Sequence, residues 1–137
     1  MFRTIVAAVD GSECSMKAAR LAGDVAEQFG AEVIVVHLAE MFAAWSVAVE
    51  SETPTEAAEL ADAAVRELKD RGISARPEIR LCTRGAVAHS LVDIVEAEDA
   101  DLLVMGSRGL GEVTGLLLGS ITHRVLHLVK VPVLVAK

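Results

Sequence analysis

Short apolar runs alternate along the chain with segments in which apolar residues recur at helical spacing. Five of the runs are rich in Val, Ile, Leu and Ala, and this pattern predicts β-strands. Three of the five are almost continuously apolar, which is typical of parallel strands covered on both faces of a sheet. The predicted strands lie at residues 2–9, 31–38, 75–81, 100–106 and 131–136.

The four segments between these runs carry apolar stripes with a period of about 3.6 residues, which predicts four amphipathic helices. Gly30 and Gly72 follow the first two stripes, at positions where a glycine suits the end of a helix. Ser120 precedes the last stripe, and we expect it to be the N-cap of that helix. The stripes lie at residues 18–29, 57–68, 87–95 and 121–129.

Strict alternation of strands and helices predicts one doubly wound α/β domain over residues 1–137, with right-handed crossovers. We expect a five-stranded parallel sheet of strand order 3-2-1-4-5. In such sheets, ligands bind beyond the carboxyl ends of the strands, where the strand order reverses. The loops after the first and fourth strands flank that crevice, so residues 10–13 and the glycine-rich stretch 104–125 are the expected ligand site.

The segment 39–54 departs from this alternation, because it is long for a loop of a compact α/β domain. It also carries three large apolar side chains, Met41, Phe42 and Trp45. One interpretation is a loop folded onto the core, and the other is a flap or partner contact near the crevice.

Composition and charge narrow the function classes. The chain has 137 residues, of which 53% are hydrophobic, and its net charge of -7 argues against nucleic acid or anionic lipid as a partner. No apolar run reaches the roughly 18 residues that a membrane helix needs, so we expect a soluble cytoplasmic protein. Cys14 and Cys82 lack metal-site spacing and are expected to be packing residues.

The glycine-rich stretch 104–125 holds five glycines and resembles neither of two common phosphate loops. A P-loop needs a lysine directly after glycine, and no glycine here has one. The dinucleotide fingerprint fails because Thr114 stands where its third glycine would be. The pattern that remains is Gly106-x2-Gly109-x9-Gly119-Ser120, which opens a helix whose backbone N–H groups could hold a phosphate. An ordinary strand-to-helix connection is the alternative.

This glycine spacing resembles the nucleotide-binding motif of the universal stress protein family, in its ATP-binding subgroup. The segment "IVAAVDGSECSMKAA" is similar to the family's opening strand and helix, and "ADLLVMGSRG" to its fourth strand. The segment "GSITHRVLHLVKVPVLVAK" is similar to its last helix and strand. The resemblance therefore covers almost the whole chain in order, and it implies ATP, with or without Mg²⁺, as the ligand.

The resemblance also implies which residues border the nucleoside. Asp10 would lie beside the ribose and adenine, and the backbone of Leu38 would contact adenine. Met105 and Gly106 would border the nucleoside from the fourth strand. From the residues alone, Asp10 has a second interpretation as the cap of the first helix.

The phosphates, by the same resemblance, would be held at the start of the last helix. The backbone amides of Gly109, Gly119, Ser120 and Ile121 would bind them, and the hydroxyls of Ser120 and Thr122 would help. Arg108 could offset phosphate charge or lie in solvent. Glu112 departs from what a phosphate loop should carry, since a carboxylate would repel a triphosphate, so we expect its side chain to point away.

The sequence does not indicate a dedicated catalyst. His37, His89, His123 and His127 have no convincing ligand spacing with Cys or acidic residues, and no Ser-His-Asp arrangement can be argued. The leading hypothesis is an ATP-binding, dimeric stress sensor or regulator with an unidentified regulatory partner. The alternatives are a slow ATPase or nucleotidyl transferase, or a nucleotide-free protein-interaction module.

The last predicted strand favours self-association. Pro132 is tolerated in an edge strand, where its missing N–H removes no central hydrogen bond. A bare apolar edge invites pairing with another chain. We therefore expect a homodimer across Val131 to Val135, unless the edge is covered by the chain's own loops.

Overall fold

The computed structural model describes residues 1–109 and 118–137. Over these ranges the chain forms six strands and four helices. The strands are β1 (Thr4–Ala8), β2 (Glu32–Ala44), β3 (Val47–Glu50), β4 (Ala75–Thr83), β5 (Leu102–Gly106) and β6 (Val133–Ala136). The helices are α1 (Glu13–Phe29), α2 (Pro54–Asp70), α3 (Val87–Ala97) and α4 (Ser120–Leu128).

The parallel part of the sheet has the order β4-β2-β1-β5-β6. This confirms the predicted α/β fold, and the five predicted strands, numbered in chain order, lie in the expected order 3-2-1-4-5. The predicted count of five is one too low, because the sheet has a sixth strand, the antiparallel β3. The order reverses between β1 and β5, whose register pairs Val6 with Leu103. The crevice expected at this reversal therefore opens beyond Ala8 and Gly106, the last residues of the two strands.

The expectation that 39–54 is a loop folded onto the core is wrong. β2 continues to Ala44, and the chain turns at Trp45 and Ser46 and returns as β3, antiparallel to β2. Both turn residues have positive φ, 52° and 62°, as a two-residue hairpin turn requires. Trp45 is 98% exposed at the tip, so this hairpin, residues 41–50, projects from the core.

Backbone hydrogen bonds locate β3 relative to the other strands. The carbonyls of Val36 and Glu40 accept from the N–H groups of Val9 and Ser51. Carbonyls two residues apart on a strand point to the same edge, so β3 follows the end of β1 along one edge of β2. β4 pairs with β2 along the opposite edge, up to Met41. The hairpin is therefore a continuation of the sheet above the end of β1.

The core consists of two layers, one on each face of the sheet. α1 and α2 cover one face, where Ile5, Val33, Val35 and Leu68 are buried together with a row of α1 alanines. α3 and α4 cover the other face, over a cluster that includes Ile34. In the described ranges, no helix combines the length and hydropathy needed to cross a membrane.

Candidate functional site

A cleft opens at the carboxyl ends of β1 and β5, bordered by the residues that follow the two strands and by the first turn of α4. Seven residues that the sequence singled out line it together: Asp10, Leu38, Met105, Gly106, Gly109, Ile121 and Thr122.

Asp10 follows β1 and is fixed by the start of α1. Its N–H donates to Ser15 Oγ over 3.1 Å, and its Oδ1 accepts from the N–H of Ser12 over 2.9 Å. The helix cap is Ser12, whose hydroxyl oxygen accepts from the N–H of Ser15. The interpretation of Asp10 as the cap of the first helix is therefore wrong, and its carboxylate lies at the wall of the cleft.

Glycines at two positions allow close approaches that a side chain would prevent. A β-carbon at Gly109 would overlap Oδ2 of Asp10, so the loop after β5 touches the carboxylate after β1. A β-carbon at Gly106 would lie 3.0 Å from the backbone carbon of Cys14. The two glycines bring the loop after β5 against the start of α1, and this contact closes one side of the cleft.

The N-cap of α4 is Gly119, so the expectation that Ser120 caps this helix is wrong. Gly119 has an extended conformation with φ −69° and ψ 161°, and its carbonyl accepts from the N–H of His123. The N–H of Gly119 donates to the carbonyl of Ser107 over 2.6 Å. The helix therefore begins one residue earlier than it would with Ser120 as its N-cap. Ser120 is therefore the first helical residue and is exposed.

The first turn of α4 has no side-chain cap among the residues that the structure describes. Ile121 of this turn lines the cleft, whereas Ser120 lines a neighbouring pocket with Glu40 and Arg124. An uncapped helix start carries about half a positive charge and suits an anion.

Thr122 has a different role from the one expected. It is buried, and its hydroxyl donates to the carbonyl of Gly106 over 2.8 Å. The hydroxyl proton is therefore used inside the protein and is not free for a phosphate. This hydrogen bond instead fastens the first turn of α4 to the end of β5.

An apolar wall of the cleft was missed by sequence reasoning. Val36, Val87 and Leu91 line it beside Leu38, and Arg108 lies at the same cleft with an exposed side chain. Val87 and Leu91 belong to the helical stripe that predicted α3, and a stripe alone indicates only core packing. The first turns of α3 reach the cleft because of the direction in which this helix crosses the sheet, and a stripe does not report that direction.

Cys14 borders the same region from α1. Burial raises the pKa of its thiol, but hydrogen bonds with the Ser107 hydroxyl and with the N–H groups of Arg108 and Ser107 outweigh that effect. The charge of Lys17 acts in the same direction, so the pKa of Cys14 lies below its ordinary value. A lowered thiol pKa increases the fraction of reactive thiolate at neutral pH.

Two further expectations concern Glu112 and the histidines. Glu112 lies outside the described residues, so the expectation that its side chain points away from the phosphates stays a prediction. His37 is buried, and both of its ring nitrogens have hydrogen-bond partners. In residues 1–109 and 118–137, no three His, Cys, Asp or Glu side chains converge as metal ligands.

Comparison with curated proteins identifies relatives over the full chain. The model of the universal stress protein family matches residues 1–137. Universal stress protein MJ0531 of Methanocaldococcus jannaschii is 31% identical over all of this chain and 83% of its own length. The chain spans only 45% of another relative, Rv2005c of Mycobacterium tuberculosis, at 34% identity.

Solved structures agree with the sequence comparison. The structure of hypothetical protein MJ0577 superimposes with a TM-score of 0.81 at 25% identity, covering 100% of this chain and 96% of that one. A universal stress protein in complex with cAMP has a TM-score of 0.72 at 29% identity, covering 99% and 97%. Fold, glycine spacing and full-length matches agree, and the chain belongs to the universal stress protein family.

Proposed function

We propose that this protein binds an adenine nucleotide, ATP with or without Mg²⁺, in the cleft between β1 and β5. The observation that carries the proposal is the contact between Asp10 and Gly109 beside the start of α4, where no described side chain caps the helix. It brings a carboxylate and an anion-binding helix end to the same opening. The relative that is 29% identical was solved in complex with cAMP, which supports an adenine nucleotide as the class of ligand.

The chemistry of the cleft divides into three parts. Leu38, Val87 and Leu91 form an apolar wall against which a purine can pack. The Asp10 carboxylate can accept hydrogen bonds from ribose hydroxyls, which no apolar residue could do. The N–H groups of the first α4 turn and the guanidinium of Arg108 are suited to phosphate oxygens.

Isothermal titration with ATP, with and without Mg²⁺, tests the proposal. Gly119→Val should abolish binding, because a branched side chain at the N-cap blocks the approach of phosphate to the first turn of α4. Asp101→Asn weakens hydrogen bonds to the start of β1, at the opposite end of that strand from the cleft, and should lower stability without changing affinity. Absence of heat and of a thermal shift in the unmodified protein, or retained affinity in Gly119→Val, would contradict the proposal.

If ATP binds, its effect on stability has a calculable size. At 100 times the dissociation constant, the folded state should gain about 2.7 kcal/mol. Phosphate released by the same samples separates binding from slow hydrolysis. Binding without turnover favours a sensor or regulator, in which the ligand shifts a population between two conformations of different affinity.

We further propose that β6 pairs with β6 of a second copy in a homodimer. The carbonyls of Pro132 and Ala136 accept from the N–H groups of β5 residues or of Ser107, which directly follows β5. The N–H groups of Val133 and Val135 therefore point away from β5, to the outer edge. No strand of the described ranges pairs with this outer edge, and a strand edge of this kind is a template for pairing with another chain.

Removing a single backbone N–H group from the outer edge of β6 tests the dimer. Val135→Pro removes an outward N–H and should convert a dimer, of twice 14.4 kDa, to a monomer in sedimentation analysis. Val135→Ala keeps that N–H and should remain dimeric. A monomeric unmodified protein, or a dimeric Val135→Pro variant, would contradict pairing through β6.

A further inference from the structure

His37 bridges two segments that are distant in sequence, from a buried position in β2. Its side chain is 5% exposed, and Nδ1 lies 2.8 Å from the carbonyl oxygen of Val9. Its Nε2 lies 2.6 Å from Oε1 of Glu52, whose side chain is 20% exposed. Val9 is a wall residue of the cleft, and Glu52 follows β3 directly before Thr53, the N-cap of α2.

The two hydrogen bonds of His37 need one proton more than a neutral imidazole and an ionised carboxylate carry together. A carbonyl oxygen only accepts, so Nδ1 of His37 must carry a hydrogen to bond Val9. A neutral imidazole has a single N–H, which would leave a lone pair on Nε2 facing the Glu52 carboxylate. The contact of 2.6 Å therefore holds a proton between Nε2 and Oε1, as imidazolium with carboxylate or as imidazole with carboxylic acid.

The surroundings offer few other partners for that proton. Alternation along β2 puts His37 on the face of Val33 and Val35, which α1 and α2 cover. The register pairs His37 with Ile79 of β4, so the neighbouring Glu78 and Arg80 lie on the other face of the sheet. On the face of His37, the charged side chains nearest in the chain to this end of the sheet are Asp10 after β1, Glu13 and Lys17 in the first turns of α1, and Glu56 in the first turn of α2. The Glu56 carboxylate is already engaged by the N–H of Thr53.

We propose that the His37–Glu52 contact is a proton-dependent latch that fastens the end of the hairpin to the end of β1. With the proton present, Glu52 is held to His37 and, through Val9, to the wall of the cleft. Loss of the proton as the pH rises places a lone pair against a carboxylate, and the latch opens. The hairpin with its exposed Trp45 then loses its attachment beside α2, so pH controls the order of a surface next to the cleft.

The variant Glu52→Gln tests the proton count directly. A glutamine side-chain N–H can donate to Nε2 of a neutral imidazole whose Nδ1–H still bonds Val9, so this latch needs no extra proton. Glu50→Gln is the matched control, because Glu50 lies on β3 and is exposed. Amide hydrogen exchange of residues 41–50, corrected for the intrinsic pH dependence, reports opening of the hairpin.

As the pH is raised and the bridging proton is lost, protection of the hairpin in the unmodified protein should fall about tenfold or more. Glu50→Gln should follow the unmodified protein, whereas Glu52→Gln should be constant over the same rise in pH. Nitrogen-15 spectra of the imidazole should find both His37 nitrogens protonated, or a protonated Glu52, in the protected state only. Constant protection in the unmodified protein, or the same fall in Glu52→Gln, would overturn the latch whether or not nucleotide binds.

Discussion

The carboxylate of Asp10 lies so close to the α-carbon of Gly109 that a β-carbon at position 109 would overlap it. The two residues are separated by almost a hundred positions and follow β1 and β5, the adjacent strands at which the sheet order reverses. Their contact forms one side of the cleft. It therefore links the architecture of the sheet to the geometry of the ligand site.

Gly109→Ala should push the Asp10 carboxylate out of position and weaken ATP binding about tenfold or more, which is about 1.4 kcal/mol. Isothermal titration measures the loss. In an Asp10→Ala background the same substitution should change affinity much less, because the displaced group is absent. Equal effects of Gly109→Ala in both backgrounds would show that the contact does not position Asp10.

Asp101 stabilises the start of β1, and its contribution should depend on pH. Its Oδ2 accepts from the N–H groups of Thr4 and Arg3, over 2.9 and 2.7 Å, and these bonds lower the pKa of Asp101. A carboxyl whose pKa is lower in the folded state stabilises above its unfolded pKa, about 3.9, and loses that contribution as the pH falls through the folded value.

Asp101→Asn should therefore be less stable than the unmodified protein at neutral pH, and the difference should shrink toward pH 3. Urea denaturation at both pH values measures it. Asp62→Asn, at an exposed position of α2, should have no comparable effect. A stability difference for Asp101→Asn that is independent of pH would contradict the role of the charge.

The turn of the hairpin is strained, since Trp45 and Ser46 both have positive φ without being glycine or asparagine. Replacing the pair by Asn-Gly, Trp45→Asn with Ser46→Gly, should stabilise the protein by about 1 to 2 kcal/mol, because that pair suits this turn. Thermal denaturation checks the gain. Trp45→Ala removes the ring but keeps the strained backbone, so a gain of the same size in that variant would mean that strain is not the cause.

The two cysteines should differ in reactivity. Hydrogen bonds from Ser107 lower the pKa of Cys14, whereas burial raises the pKa of Cys82. At neutral pH iodoacetamide should alkylate Cys14 first, and Ser107→Ala should slow that reaction about threefold or more. Mass spectrometry of the two peptides follows both sites. Faster alkylation of Cys82, or no effect of Ser107→Ala, would contradict this ordering.

Sequence reasoning predicted the parallel sheet, its order and the place of the crevice, because apolar periodicity reports which face of each element is buried. It missed the hairpin for a local reason. Trp45 and Ser46 occupy a turn that Asn and Gly normally form, so no turn signal separated β2 from β3. It also misplaced the N-cap of α4, because serine is a common N-cap residue and Ser120 stands at the start of the helix. The structure has Gly119 as the N-cap, and the N–H of Gly119 donates to the carbonyl of Ser107.

By itself the sequence determined the five parallel strands and the four helices, and that glycines stand where β5 leads into α4. Only the tertiary structure decided which side chains meet. The hydroxyl of Thr122 reaches the Gly106 carbonyl, and His37 reaches Glu52. Such contacts depend on strand register, helix crossing and turn geometry together, and periodicity along the chain contains none of these distances. Burial is therefore encoded locally in this protein, while its site is assembled by the packing of the whole domain.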